Sequence, residues 1–240
     1  MRAMTRSMEG VNVIEGAAWY FVFLFSVTLH EAGHAWAAMK GGDLTAYEGG
    51  QVSIDPLPHI RREPFGMVVL PIISVLIAGW PFGYASAPFD PAWARTYPRR
   101  AAWMSLAGPG ANLLLVCAAA LLIRGGMAAG LLDSPESLGF AHVVAATTPG
   151  MMDTVALFLG MFFTLNLLLF VLNMIPVPPL DGSGAVPLVL PEKLALSYQD
   201  VVMGSPYAWL GILVAWNVFD VIFTPIFVLS INLLYPGHYG

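Results

Sequence analysis

The sequence predicts an all-α integral membrane protein of about five transmembrane helices, five or six in count, with a small hairpin or edge strand after the first. Three observations carry this expectation. Hydrophobic residues make up 58% of the 240-residue chain, charged residues only 10%, and the mean hydropathy is +0.72, well outside the range of soluble domains. Apolar runs long enough to cross ~30 Å of hydrocarbon, about 20 residues as helix, recur along the chain. Between the first two of them, Tyr47 to Ile54 places a Gly-Gly turn ahead of a short alternating pattern through Val52 and Ile54.

Taken in order, the first run extends from Val13 to Met39 and is stopped by Gly41, Gly42 and Asp43. After the short turn-forming stretch come His59, Arg61, Arg62 and Glu63, a polar group suited to a membrane interface. Gly66 to Tyr84 is the second expected span, leaving through Trp80, Pro81 and Phe82 as an aromatic anchor. Ala101 to Ile123 is the third, interrupted at Gly108, Pro109, Gly110 and Asn112. Such breaks free backbone groups that only a packed or wet interior can satisfy. The fourth span, Asp153 to Ile175, contains Asn166 and Asn173 and runs into Pro176, Pro178, Pro179, Leu180, Asp181 and Gly182, which cannot be regular helix. Ala185 to Tyr198 is an amphipathic or interfacial stretch, and about 207–235 is the last span. No internal repeat or linker is visible, so residues 1–240 form one membrane-embedded domain with its core at 11–182.

Charge and cysteine usage exclude several classes. A net charge of −5 with no basic run leaves no surface for nucleic acid. Cys117 stands alone in an apolar segment and has no partner for an intrachain disulfide. The first run is too long for a cleaved signal, and cleavage would discard the residues described next.

His30, Glu31 and His34 lie in the second half of the first span, where ionisable groups are costly unless they face a protein interior or a wet cavity. On a helix His30 and His34 share a face, so both imidazoles can reach one metal ion while Glu31 flanks it. This is the H-E-x-x-H arrangement of zinc hydrolysis. Zinc takes nitrogen, sulfur or carboxylate ligands and keeps one position open at a catalytic site, and a nearby carboxylate then serves as general base. Two histidines are too few. An acidic third ligand from elsewhere in the chain is expected.

With those residues in view, the chain resembles the site-2 protease family of intramembrane zinc metalloproteases, of the compact prokaryotic type. HEAGH is similar to the family's first zinc motif, DPLPHI and EPFG to its post-helix loop, SLAGPGANLLL to its central helix, and NMIPVPPLDG to its third-ligand motif. The likeness runs from about Leu29 to Gly182. It implies one Zn2+ per chain held by His30, His34 and Asp181, with Glu31 as the base and Asn112 holding the substrate carbonyl or oxyanion. Asn173 is implied as scaffold for Asp181 or as a substrate contact. Arg61 and Arg62 depart from the expected loop pattern and leave His59 without an implied role.

The implied function is regulated intramembrane proteolysis: cleavage of a peptide bond within or near a transmembrane segment of a membrane protein or membrane-associated peptide. The alternative is an inactive relative acting as a binding or regulatory membrane protein. A prokaryotic inner membrane is the implied location. With five spans, Arg2, Arg6, Arg95, Arg99, Arg100 and Lys193 fall on one side and Lys40, Arg61, Arg62 and Arg124 on the other, which predicts a cytoplasmic N-terminus.

Overall fold

A computed structural model describes residues 13–204 and 210–239. Among the described residues four helices are long and apolar enough to cross a membrane: α1 (Val13–Gly41), α6 (Pro98–Ala128), α7 (Met151–Asn173) and α10 (Leu210–Leu234). Glu15 in the first turn of α1 and Lys40 in its last turn complement the helix dipole. α1 and α6 lie antiparallel in close contact, because Gly33 lets the backbone of α6 approach. A Cβ at Gly33 would stand 2.8 Å from the Ala107 carbonyl oxygen. α7 runs alongside α1 in the same direction, with Phe21 against Phe158 and, one turn on, Phe25 against Phe162. α10 returns antiparallel to α7, and at its end the Arg124 guanidinium donates to the Leu234 carbonyl at 3.1 Å. One apolar core lies among α6, α7 and α10 around Ile123, Phe163 and Ile231, and a second joins α1 to α7 around Phe23, Met67 and Met161.

Six shorter helices lie between α1 and α6 or after α7 among the described residues: α2 (Thr45–Glu48), α3 (Pro56–Arg62), α4 (Leu70–Ala78) and α5 (Pro91–Thr96) in the first connection, then α8 (Asp181–Ala185) and α9 (Glu192–Gly204) in the second. Tyr47–Ile54 is therefore not a hairpin or edge strand. Asp43 accepts from both the backbone N–H and the hydroxyl of Thr45, at 2.9 and 2.6 Å, and this side-chain turn starts a helical turn where the alternation suggested a strand. Among the described residues the only strands are β1 (Leu132–Asp133) and β2 (Ala145–Ala146), an antiparallel pair in the connection from α6 to α7.

The second span is corrected as well. A π-helical turn at Phe65–Val69 leads into α4, giving 14 apolar residues from Phe65 to Ala78, about 21 Å at 1.5 Å per residue. Gly79, at φ +79°, ends the helix, and residues 81–90 then return in extended form. The two ends of this excursion are tied together, since the Asp90 N–H donates to Asp43 Oδ2 at 2.8 Å. The chain thus enters and leaves at the same end of the bundle.

That return undoes the charge partition behind a cytoplasmic N-terminus. Lys40, Arg61, Arg62, Arg95, Arg99, Arg100 and Lys193 all belong to the end where α1 finishes and α6 begins, as the Arg100 bond to the Gly41 carbonyl (3.1 Å) makes plain. Arg124 lies at the other end. α6 is also unbroken through Gly108–Asn112, with Pro109 inside it. α10 covers the last expected span from Leu210; Tyr207, Trp209, Arg2 and Arg6 lie outside the described residues.

Candidate metal centre and active-site cavity

His30 and His34 stand one turn apart on α1 and face the first half of α6, where Gly108 leaves room for the rings. A Cβ there would lie 2.6 Å from His30 Nε2 and 2.2 Å from His34 Nε2. Asp181 is delivered by the segment after α7. Its prolines forbid helix, and the chain folds back so tightly that a Cβ at Gly182 would come 2.4 and 2.6 Å from the Met174 and Ile175 carbonyl oxygens. Asp181 opens α8 directly opposite the two imidazoles.

The three side chains converge. His30 Nε2 is 3.0 Å from Asp181 Oδ2, His34 Nε2 is 3.3 Å from Asp181 Oδ1, and the two Nε2 atoms are 3.0 Å apart. Tetrahedral coordination with bonds of about 2.0–2.1 Å requires ligand atoms about 3.3 Å apart. The donor chemistry agrees with that spacing. His34 Nδ1–H donates to the Met104 carbonyl at 2.7 Å and His30 Nδ1–H to Asn112 Oδ1 at 2.5 Å, so each ring turns a bare Nε2 lone pair inward. Asp181 Oδ2 receives no hydrogen-bond donor. Two lone pairs and a carboxylate meeting without a donor between them fit a cation, and these residues are positioned to form a metal site.

Glu31, only 5% exposed, lines a cavity of about 900 Å3 shared with His30, His34, Asp181 and Asn173. Its carboxylate makes no hydrogen bond among the described residues. The extended residues 81–90 form one wall, and α7, α9 and α10 contribute Leu169, Tyr198 and Trp216 to the others. Irregular backbone at membrane depth is tolerated where it lines a hydrated space.

This wall has two unlike edges. Phe82 N–H donates to Ser74 Oγ at 2.7 Å and Tyr84 N–H to the Gly66 carbonyl at 3.1 Å, while the Ser86 carbonyl accepts from Gln51 at 3.4 Å. Trp80 to Ala87 all line the cavity, and within this stretch the backbone groups of Gly83, Ala85 and Ala87 make no hydrogen bond among the described residues.

Asn112 does not line the cavity. It is fully buried, with Oδ1 on His30 and Nδ2 donating to Asn166 Oδ1 at 2.9 Å, so neither end of its amide is available to a substrate carbonyl. Asn173 lines the cavity and donates to the Leu169 carbonyl at 3.0 Å. His59 is buried away from the cavity lining and bonds the Ser53 carbonyl at 3.1 Å. Sequence reasoning named Gly108 and Asn166 without finding that the one packs against the imidazoles and the other bonds Asn112, and it missed Ser26. Polar residues at helical spacing within apolar spans are a signal that finds Ser26 and Asn166. The small residues Gly83, Ala85 and Ala87, spaced around Tyr84 and Ser86, offer none.

A family model described as Peptidase family M50 matches residues 18–213. The chain is similar to "Putative zinc metalloprotease YwhC" of Bacillus subtilis, 31% identical over 169 residues, covering 70% of this chain and 67% of that protein. It is also similar to "Putative zinc metalloprotease Rip2" of Mycolicibacterium smegmatis, 30% identical over 187 residues with 78% and 61% covered. The protein of the same description from Mycobacterium tuberculosis is 34% identical over 186 residues, with 76% and 60% covered. The matched part thus spans about three fifths to two thirds of these relatives. No solved structure gives a significant match.

Proposed function

Because the chain belongs to peptidase family M50, the site-2 protease family of zinc metalloproteases, we propose that it hydrolyses a peptide bond within or next to a transmembrane segment of a membrane protein. The observation that carries this reading is the convergence of His30, His34 and Asp181 at a cavity that also holds Glu31, among helices long enough to cross a membrane. His30, His34 and Asp181 hold the zinc. When bound, the ion supplies Lewis acidity that polarises a carbonyl and lowers the pKa of a neighbouring water.

The chain's own groups do the rest. Glu31 takes one proton as the water oxygen bonds to the carbonyl carbon, then gives it to the leaving nitrogen as the C–N bond breaks; the second water proton stays on the new carboxyl group, which yields it to the amine once released, leaving a carboxylate and an ammonium. Substrate carbonyls are hidden while the target segment is helical, so the segment must be drawn out into extended form. The unpaired edge at Gly83, Ala85 and Ala87 suits that task, since main-chain bonds to it hold any sequence extended. Asn173, on the same cavity, is a further contact for the held peptide.

The cationic end of the bundle faces the cytoplasm by the positive-inside rule, which puts the start of α1 on the opposite side. The test is co-reconstitution in liposomes with a single-span substrate, mapping the new termini by mass spectrometry. Cuts in or within a few residues of the span are expected. Cuts confined to distant soluble loops would overturn the intramembrane reading.

A further inference from the structure

Three polar side chains are packed behind the metal centre where apolar ones would fit more cheaply. Ser26, Asn112 and Asn166 are each 0% exposed, they come from three different membrane-length helices, and they are bonded in series to the far side of His30. Burying two amides and a hydroxyl is justified energetically only if each finds its partners.

The series has a direction, and its origin is a backbone carbonyl. The Phe162 carbonyl can only accept, so the Asn166 group that meets it at 2.8 Å must be Nδ2, which donates also to Ser26 Oγ at 2.9 Å. Asn166 Oδ1 is thereby turned to Asn112 and, being an acceptor, requires Asn112 Nδ2 at 2.9 Å. That leaves Asn112 Oδ1 on His30 Nδ1, which must then carry the proton. His34 needs no such chain, since a carbonyl fixes its Nδ1 directly.

We propose that Asn166 and Asn112 are positioning residues, a relay running from the Phe162 carbonyl that locks His30 into the Nδ1–H tautomer and aims its Nε2 lone pair at the metal centre. The relay rests on the reading of His30 as a zinc ligand. It assigns Asn112 to the ligand rather than to the substrate. Without Asn166, Asn112 is free to rotate its amide by half a turn and present Nδ2 to His30 Nδ1, which selects the other tautomer and puts a proton where the metal must bind. Partners of this kind behind a metal-bound histidine are worth about 10–100-fold in metal affinity.

The test is the zinc dissociation constant of the detergent-solubilised full chain, measured by competition with a chromophoric chelator, with far-UV circular dichroism recorded on the same samples. Asn112→Leu and Asn166→Leu are nearly isosteric and remove the polar function; each is expected to weaken zinc binding about 10–100-fold. Asn112→Asp keeps an acceptor on His30 Nδ1 and is expected to stay within about threefold of wild type. A role confined to packing predicts the reverse order, with Leu tolerated and a buried carboxylate poorly tolerated. Wild-type affinity in either Leu variant, or weaker binding by Asp than by Leu, overturns the relay.

If Asn112 variants do not fold, the decision passes to the wild-type zinc form labelled with 15N-histidine. His30 is expected to show a strongly hydrogen-bonded Nδ1–H beside that of His34. A His30 ring with no protected Nδ1–H overturns the relay. If instead zinc binding follows the expected order but no variant or wild type cleaves any substrate, the proteolytic reading fails while the relay stands.

Discussion

Gly108 and Gly110 sit two residues apart on the same helix and predict opposite outcomes when each is replaced by Ala. A Cβ at Gly110 meets nothing within 4 Å, so Gly110→Ala is expected to raise stability by up to about 1 kcal/mol, the helix-propensity gain alone. At Gly108 the same methyl would lie 2.2 Å from His34 Nε2 and 2.6 Å from His30 Nε2. Comfortable non-bonded separations between such atoms are about 3.5 Å, so the rings must retreat by roughly 1 Å. They are not free to do so, because His34 is held by the Met104 carbonyl and His30 by Asn112 on their far sides. A 1 Å error in a reacting constellation costs on the order of 100-fold in rate, and zinc affinity should fall at least as far. Gly108→Ala is therefore expected to lower the unfolding temperature, by the roughly 1–3 kcal/mol that overpacking costs, and to lose zinc, measured by chelator competition beside a thermal melt. Wild-type zinc affinity in Gly108→Ala would refute the packing of α6 against the imidazoles.

Two further predictions concern the wall of the cavity. Ala85→Pro deletes one N–H of the unpaired edge without touching the bonded Tyr84 and should slow cleavage tenfold or more at unchanged zinc content; an unaltered rate would mean substrate is held elsewhere. The anchor of that wall is pH-dependent: burial works to raise the pKa of Asp43, but hydrogen bonds from the Thr45 hydroxyl and N–H and from the Asp90 N–H outweigh it and hold the carboxyl below its usual value. Its stabilisation is complete above the ordinary value of about 3.9 and is lost as pH falls through the lowered one. Hydrogen exchange across residues 81–90 should accelerate only in acid, and equal protection down to about pH 3 would contradict the role of Asp43.

Much of this molecule was legible in its sequence because the costs that shape membrane proteins are large. Burying His30, Glu31 and His34 in an apolar run is too expensive to be incidental, and the prolines before Asp181 forbid the helix that would have carried it away from the site. The excursion between α1 and α6 was not legible. An apolar run from Gly66 to Tyr84 has the length of a span, and only Pro71 and the left-handed Gly79 hint that it is a short helix and an extended return. The alternation at Tyr47–Ile54 misled because Asp43 and Thr45 form a local turn whose side-chain bonds outweigh strand propensity. The resemblance singled out Asn112 as a substrate contact, but whether its amide turns to the cavity or to His30 depends on which helix packs behind it, and that is a tertiary fact.

The central claim is that one set of residues holds the metal and a different one moves the proton. The most direct test measures zinc content and substrate cleavage together in wild type, Glu31→Gln and Asp181→Ala, all in the same liposomes. The account predicts about one zinc per chain in the wild type and in Glu31→Gln with cleavage lost only in the latter, and loss of both in Asp181→Ala. Cleavage by Glu31→Gln at the wild-type rate, or full zinc in Asp181→Ala, would contradict it.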